Sequence, residues 1–170
     1  TINLGQRLSY NGKQQIQTIS GVWIDGLTVT FDVSGDAQTN AGDYTLKVTG
    51  NGNFVGEATV DWSIAKAQLT VTAKDKAITF GDAPENDGVE YEGFVNGETE
   101  EVLDGELTYS YDYEQSGDVG VYTITPSGLT SDNYQIGFVA GKLSTFLCHA
   151  ARLAGASIFS SVVFYEPCRV

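Results

Sequence analysis

Apolar and polar residues alternate with a period of two in one short run after another, and that period limits the fold more than any other feature. The runs are Leu27–Val33, Tyr44–Val48, Ala58–Ile64, Leu69–Thr72, Leu107–Tyr111 and Val121–Ile124, rich in β-branched and aromatic side chains. Successive side chains of a strand point to opposite faces, so each run reads as a half-buried strand, dry on one side and wet on the other. Turn dipeptides fall between them: Asn11-Gly12, Asp25-Gly26, Asn51-Gly52, Asp87-Gly88, Asn96-Gly97 and Asp104-Gly105. These supply the positive φ that tight hairpins require. No stretch with a 3.6-residue period and helical length precedes residue 146. The body is therefore expected to be all-β.

Charge separates that body from the end of the chain. Residues 1–145 carry 21 acidic and 7 basic side chains, whereas 146–170 hold Glu166 against Arg152 and Arg169. With a net charge of −13 over 170 residues, the chain repels a phosphate backbone and anionic lipid surfaces alike. No nucleic-acid partner and no membrane insertion are expected. The apolar run from Leu147 to Tyr165 contains His149 and Arg152. A span needs about 20 predominantly apolar residues, and the run beyond Arg152 is too short. Both cysteines (Cys148, Cys168) and the one histidine lie in the last 25 residues, and the cysteine-free body suits an exported protein that does without disulfides. The last 25 residues read as an atypical, irregular tail, of the kind a shifted reading frame or read-through would add. With Thr at position 1 and no Met anywhere, the chain reads as a processed product or a fragment.

The body also repeats. Gly42-Asp43-Tyr44-Thr45-Leu46 followed by Asn53-Phe54 has a counterpart in Gly120-Val121-Tyr122-Thr123-Ile124 followed by Asn133-Tyr134. Ala65-Lys66-Ala67 is the natural joint, dividing the chain into 1–66, 67–145 and the tail 146–170. No Gly/Ser-rich or Pro-rich run lies at that joint, which predicts a stiff, end-to-end pair. Units this small bury limited core and gain from packing on each other. The expected architecture is two tandem antiparallel β-sandwiches of immunoglobulin-like, Greek-key type. A β-grasp-like arrangement, with a short helix within 93–104, is the alternative.

The second unit resembles the MBG domain, YGX type, of bacterial cell-surface proteins. The resemblance rests on Ala77-Ile78-Thr79-Phe80-Gly81-Asp82-Ala83-Pro84, Tyr91-Glu92-Gly93-Phe94-Val95-Asn96-Gly97, Gly120-Val121-Tyr122-Thr123-Ile124, Asn133-Tyr134 and Gly141-Lys142-Leu143. Phe80 stands where the family usually has Tyr. The expected closing strand breaks off after Leu143-Ser144-Thr145. The first unit resembles the related repeats that open on a Tyr-Asp-Gly-like turn, here Tyr10-Asn11-Gly12. The resemblance implies a tandem, non-catalytic stalk module of a secreted or wall-attached adhesin, with neighbouring repeats, host glycans or mucin as partners. A dedicated carbohydrate-binding module, and a decoration or fibre domain of a phage virion, are the other readings.

Candidate sites are few. Tyr109, Tyr111 and Tyr113 share parity with Leu107; pointing outward, such rings would form a platform for sugars. Leu107 argues that Tyr109 is core, leaving Tyr111 and Tyr113 as the candidate ligand-binding residues. Trp23 and Trp62 read as core. The carboxylates Glu98, Glu100, Glu101, Asp104 and Glu106 read as a solvated acidic surface rather than a catalytic pair. Asp82, Glu85, Asp87 and Glu90 lie close in sequence but match no calcium-loop spacing. Lys47, Lys66, Lys74 and Lys142 lie on or beside strands, without a specific partner for an isopeptide bond. No catalytic residue, metal or cofactor is expected.

Overall fold

A computed structural model describes residues 2–24 and 27–147. The strands are β1 (Ile2–Leu4), β2 (Leu8–Ser9), β3 (Gln15–Ile16), β4 (Ile19–Ile24), β5 (Leu27–Thr28), β6 (Phe31–Ser34), β7 (Ala37–Gln38) and β8 (Gly42–Gly50). They continue with β9 (Glu57–Ala65), β10 (Ala67–Ala73), β11 (Lys76–Thr79), β12 (Val89–Glu92), β13 (Asp104–Tyr111), β14 (Val121–Thr130), β15 (Tyr134–Val139) and β16 (Gly141–Phe146). The only helical element among the described residues is one 3₁₀ turn, Glu100–Val102. The fold is all-β, with layered sheets in the manner of a β-sandwich.

Every sheet draws its strands from one side of Lys66. Before it lie β2-β9-β8-β6, β1-β4-β5 and the small pair β3-β7; after it lie β12-β10-β15 and β11-β16-β14-β13. The pairings repeat across the two halves. Antiparallel β1–β4 corresponds to β10–β12, and antiparallel β6–β8 to β13–β14. Parallel β2–β9 corresponds to β11–β16, and antiparallel β8–β9 to β14–β16. The sheets are thus mixed rather than purely antiparallel, since β2–β9, β11–β16 and β10–β15 all run parallel. Alternation cannot distinguish the two directions, because side-chain parity is the same in both.

Several expectations need correction. The run Leu27–Val33 is split between β5 and β6. Asn51-Gly52 joins the β8–β9 hairpin, but Asp104-Gly105 is no turn. It opens β13, where the register against β14 shifts and Gly105 takes φ 86°. A Cβ there would strike the Gly128 carbonyl oxygen, and one on Gly128 (φ 95°) would strike that of Glu106. Two glycines facing each other across the ladder are what allow this bulge. The closing strand does not stop at Thr145: β16 includes Phe146. Asp25-Gly26, the side chain of Trp23, and Cys148, His149, Arg152 and Cys168 lie outside the described residues.

Two clusters form the interior. One contains Leu46, Val48, Trp62 and Ile64 from β8 and β9, continues through Tyr10, and takes in Leu69, Val71 and Tyr134 from beyond Lys66. The other contains Ala73, Ile78, Tyr113, Ile124 and Leu143. Trp62 is buried as expected, with its Nε1–H donating to the Gly35 carbonyl at 3.2 Å. Ile124 is fully buried, whereas Thr59 points to solvent. Replacing Ile124 by Ala is expected to cost about 2–5 kcal/mol of unfolding free energy, through lost burial and the cavity left behind. Thr59→Ala should stay within about 0.5 kcal/mol. Urea denaturation followed by tryptophan fluorescence and circular dichroism checks both.

Candidate interaction site at the joint

β9 ends at Ala65 and β10 begins at Ala67, so a single residue, Lys66, connects the two halves. Lys66 Nζ donates to the Ser131 carbonyl at 2.7 Å, and the Ala67 N–H donates to the Asn133 carbonyl at 3.0 Å. Asn133 also reaches back across the joint: its Oδ1 accepts from the Ala41 N–H at 2.8 Å. Its Nδ2 donates to Asn40 Oδ1 at 3.3 Å.

The centre of the joint is aromatic. Tyr10 follows β2 and is fixed there by its N–H, which donates to the Ala65 carbonyl at 2.8 Å. Its ring meets Tyr134 edge-on at 5.5 Å, and Tyr134 meets Phe94 in the same way at 5.5 Å. Both tyrosines are buried, at 8% and 2% exposure. A buried hydroxyl needs a partner, and one carboxylate serves both. Tyr10 OH donates to Glu98 Oε1 at 2.7 Å, and Tyr134 OH donates to Glu98 Oε2. Glu98 closes the turn centred on Asn96-Gly97, where both residues take positive φ, and its N–H donates to the Val95 carbonyl at 3.0 Å. Beside it, Asn96 Nδ2 donates to the Gly12 carbonyl at 3.2 Å. A Cβ on Gly12 would come within 2.6 Å of the Asn96 Cβ, so the Asn11-Gly12 turn is itself an interface element.

Electrostatics follow from this geometry. Burial, then the hydrogen bond to the Glu98 carboxylate and its charge, push the Tyr10 hydroxyl up to about 12. Burial and the same carboxylate also raise Tyr134.

The other candidate residues sit elsewhere. Leu107, Tyr109 and Tyr111 lie half-buried on one face of β13. Burial raises the Tyr109 hydroxyl. Tyr111 accepts from Asn86 Nδ2 at 2.7 Å. Tyr113 is no surface ring: it is 3% exposed and packs on Tyr122 at 4.9 Å between ring centroids. The chain leaves β13 after Tyr111 and folds Tyr113 over the second cluster, so the outward row of rings does not form. Asp82 Oδ2 accepts from the Thr79 N–H at 3.1 Å and closes its own turn. Asp87 and Glu85 lie 2.6 and 3.9 Å from the Lys76 ammonium, whose hydrogen bond to Asp87 raises its pKa. Lys47 pairs with Glu57 at 2.6 Å. Among the described residues, no group of His, Cys, Asp and Glu is placed to hold a metal ion.

Glu98 is the residue that sequence reasoning missed. It belongs to an acidic run of ordinary appearance, and its partners stand 88 and 36 positions away. The signal that could have found it is its place directly after an Asn-Gly turn in the segment that carries the family motif.

Residues 69–144 match the family model of the MBG domain (YGX type). This segment is an MBG domain. MBG domains are a non-catalytic repeat family of extracellular and surface proteins, and the match covers β10 to β16 except for the outermost residues. Among curated proteins, none matches the chain. No helix among the described residues is long and apolar enough to cross a membrane. The Tyr134 and Glu98 side of the joint thus belongs to the MBG domain, and Tyr10 comes from the half before it.

Glu98→Ala leaves the two buried hydroxyls of the MBG joint without their acceptor. A loss of about 1–3 kcal/mol is expected, against a smaller loss for Glu98→Gln, which keeps one acceptor. Chemical denaturation of the three proteins compares them. Tyr10 and Tyr134 hold their protons more tightly folded than unfolded. Their contribution is therefore complete below about pH 10, the ordinary tyrosine value, and is lost as the pH rises through about 12 for Tyr10. Ultraviolet titration should show Tyr10, Tyr91, Tyr109 and Tyr134 ionising late in the wild type, and Glu98→Ala moving two of the four to lower pH.

Proposed function

We propose that the chain is a non-catalytic part of a surface-attached, adhesin-like bacterial protein. Residues 1–66 and 67–145 act in it as two β modules fastened into one stiff stalk element. The first is a YDG-like repeat and the second the MBG domain. Neighbouring repeats are its main partners, and contact with host glycans or mucin is weak. The carrying observation is the shared carboxylate: Tyr10 and Tyr134, from opposite sides of a one-residue connection, both donate to Glu98. A free linker would let modules swivel, whereas a buried polar contact with fixed geometry resists rotation. Stiffness rather than chemistry is what such a joint contributes, and it suits a part that holds something else away from a cell wall.

Residual dipolar couplings test the stalk reading. Those from 2–65 and from 67–146 should fit one alignment tensor in the wild type and two tensors in Tyr10→Ala/Glu98→Ala. Two tensors in the wild type would sink the reading. Retention on immobilised mucin should be weak and unaffected by that double variant; no retention at all removes the glycan contact from the proposal.

A further inference from the structure

The repeated pairings place corresponding residues at corresponding ends, and among the described residues only one of each pair is covered. Ile64 pairs with Gly42 and Leu8; Thr145 bonds to Gly120 and pairs with Ile78. One residue further on, the Tyr10 N–H donates to the Ala65 carbonyl, and the Phe80 N–H donates to the Phe146 carbonyl at 2.7 Å. Phe80 is therefore the counterpart of Tyr10. Tyr44 OH donates to the Asn40 carbonyl and Tyr122 OH to that of Asp118, which sets Ala41 against Val119. Tyr10 and Ala41 are the residues that the first half brings to the joint. Their counterparts lie at the far end of the second half, where Phe80 is 43% exposed against 8% for Tyr10. Beside Phe80 runs an apolar groove of about 340 Å³, lined by Val119, Val121, Phe146 and Leu147.

The opposite end of the molecule holds the other half of the same joint. Phe54 stands in the repeat where Tyr134 stands, after Asn53 as Tyr134 follows Asn133. It lines an apolar groove of about 240 Å³ with Ile2, Phe31, Val48 and Val55, the last 94% exposed. In the second half β10 pairs with β15 alongside Tyr134, and Tyr10 covers the end. Around Phe54 no such cover is present among the described residues.

We propose that these two ends are the two halves of one head-to-tail interface, and that a second copy of this chain completes it, with Phe80 of one copy seated against Phe54 of the next. The inference rests on the stalk reading and extends it from one molecule to a row of them. Both central tyrosines of the internal joint are Phe at these two ends, so the contact needs no buried carboxylate. Joining two different patches does not close on itself, so the assembly grows beyond a dimer. Patches of this size make weak contacts, and a net charge of −13 per copy opposes them.

Sedimentation equilibrium of the full chain at millimolar concentration, with reducing agent to keep Cys148 and Cys168 as thiols, tests the proposal. The expected result is a mean mass that keeps rising with concentration and rises further in molar salt. Phe80→Asp and Val55→Asp, both at exposed positions, should each be monomeric with unchanged circular dichroism. Mixed together they should associate again and stop at a dimer, because each retains one intact half. A wild type that stays monomeric in molar salt overturns the proposal. So does association that saturates at a dimer, or that survives in either variant alone. One shared alignment tensor within a strictly monomeric chain would overturn this inference and leave the stalk reading standing.

Discussion

A phenolic hydroxyl withdrawn from water costs free energy unless it finds a hydrogen-bond partner; Tyr113 bears that cost, whereas the arrangement of this molecule around Lys66 depends on two buried hydroxyls sharing one acceptor. An ionised carboxylate suits the task because it only accepts and offers two oxygens, so each tyrosine takes its own. Burying a charge is costly, but Glu98 stays partly open to solvent and receives two charge-assisted bonds instead of a counter-ion. With one residue between β9 and β10, the halves cannot separate without exposing the Tyr10 and Tyr134 rings and breaking the Tyr10 bond to Glu98. The remaining contacts at the joint, Asn133 to Ala41 and Asn96 to Gly12, are modest singly and fix rotation about that centre.

The position of the central ring is itself a consequence of strand register. Parallel pairing of β2 on β9 ends at Ser9 opposite Ala65, and the next N–H, that of Tyr10, bonds to the Ala65 carbonyl. Tyr10 is thereby delivered to the end of β9, where the chain crosses into β10. A slip of one residue would turn its ring to the other face and empty the joint. The same register in β11 on β16 delivers Phe80 to the end of the second half. Geometry that builds a joint once therefore builds its counterpart again.

What could be read from the sequence was what local chemistry dictates. Alternation located β8, β9, β10, β13 and β14, because a half-buried strand leaves a period-two mark wherever it lies. Strand direction and partner leave none, which is why the parallel β2–β9 and β11–β16 pairs were not anticipated. Asp104-Gly105 has the composition of a hairpin turn but makes a bulge, since what distinguishes the two is Gly128 on the neighbouring strand, more than twenty residues away. Tyr113 continues the parity of β13 only on paper, because the strand ends at Tyr111. Glu98 was hidden for a related reason: one acid in an acidic run becomes exceptional only through distant tyrosines. The family motif did carry the MBG half, since its glycines and aromatics mark positions where backbone conformation and core packing are both demanding.

The difference between Tyr and Phe at corresponding ends carries a physical consequence. A buried tyrosine penalises any surface without an acceptor, so the Tyr10 end favours a partner that presents a hydrogen-bond acceptor where Glu98 stands. Selectivity there comes from the cost of the wrong match as much as from the gain of the right one. Phenylalanine makes no such demand and packs against any apolar surface of suitable shape. In a strongly acidic chain, a contact made of Phe80, Phe54 and aliphatic neighbours is also one that brings no further carboxylate into the dry centre. The inner joint is thus built for one partner held permanently, and the outer ends for a contact that forms only when long-range repulsion is screened or overcome by concentration.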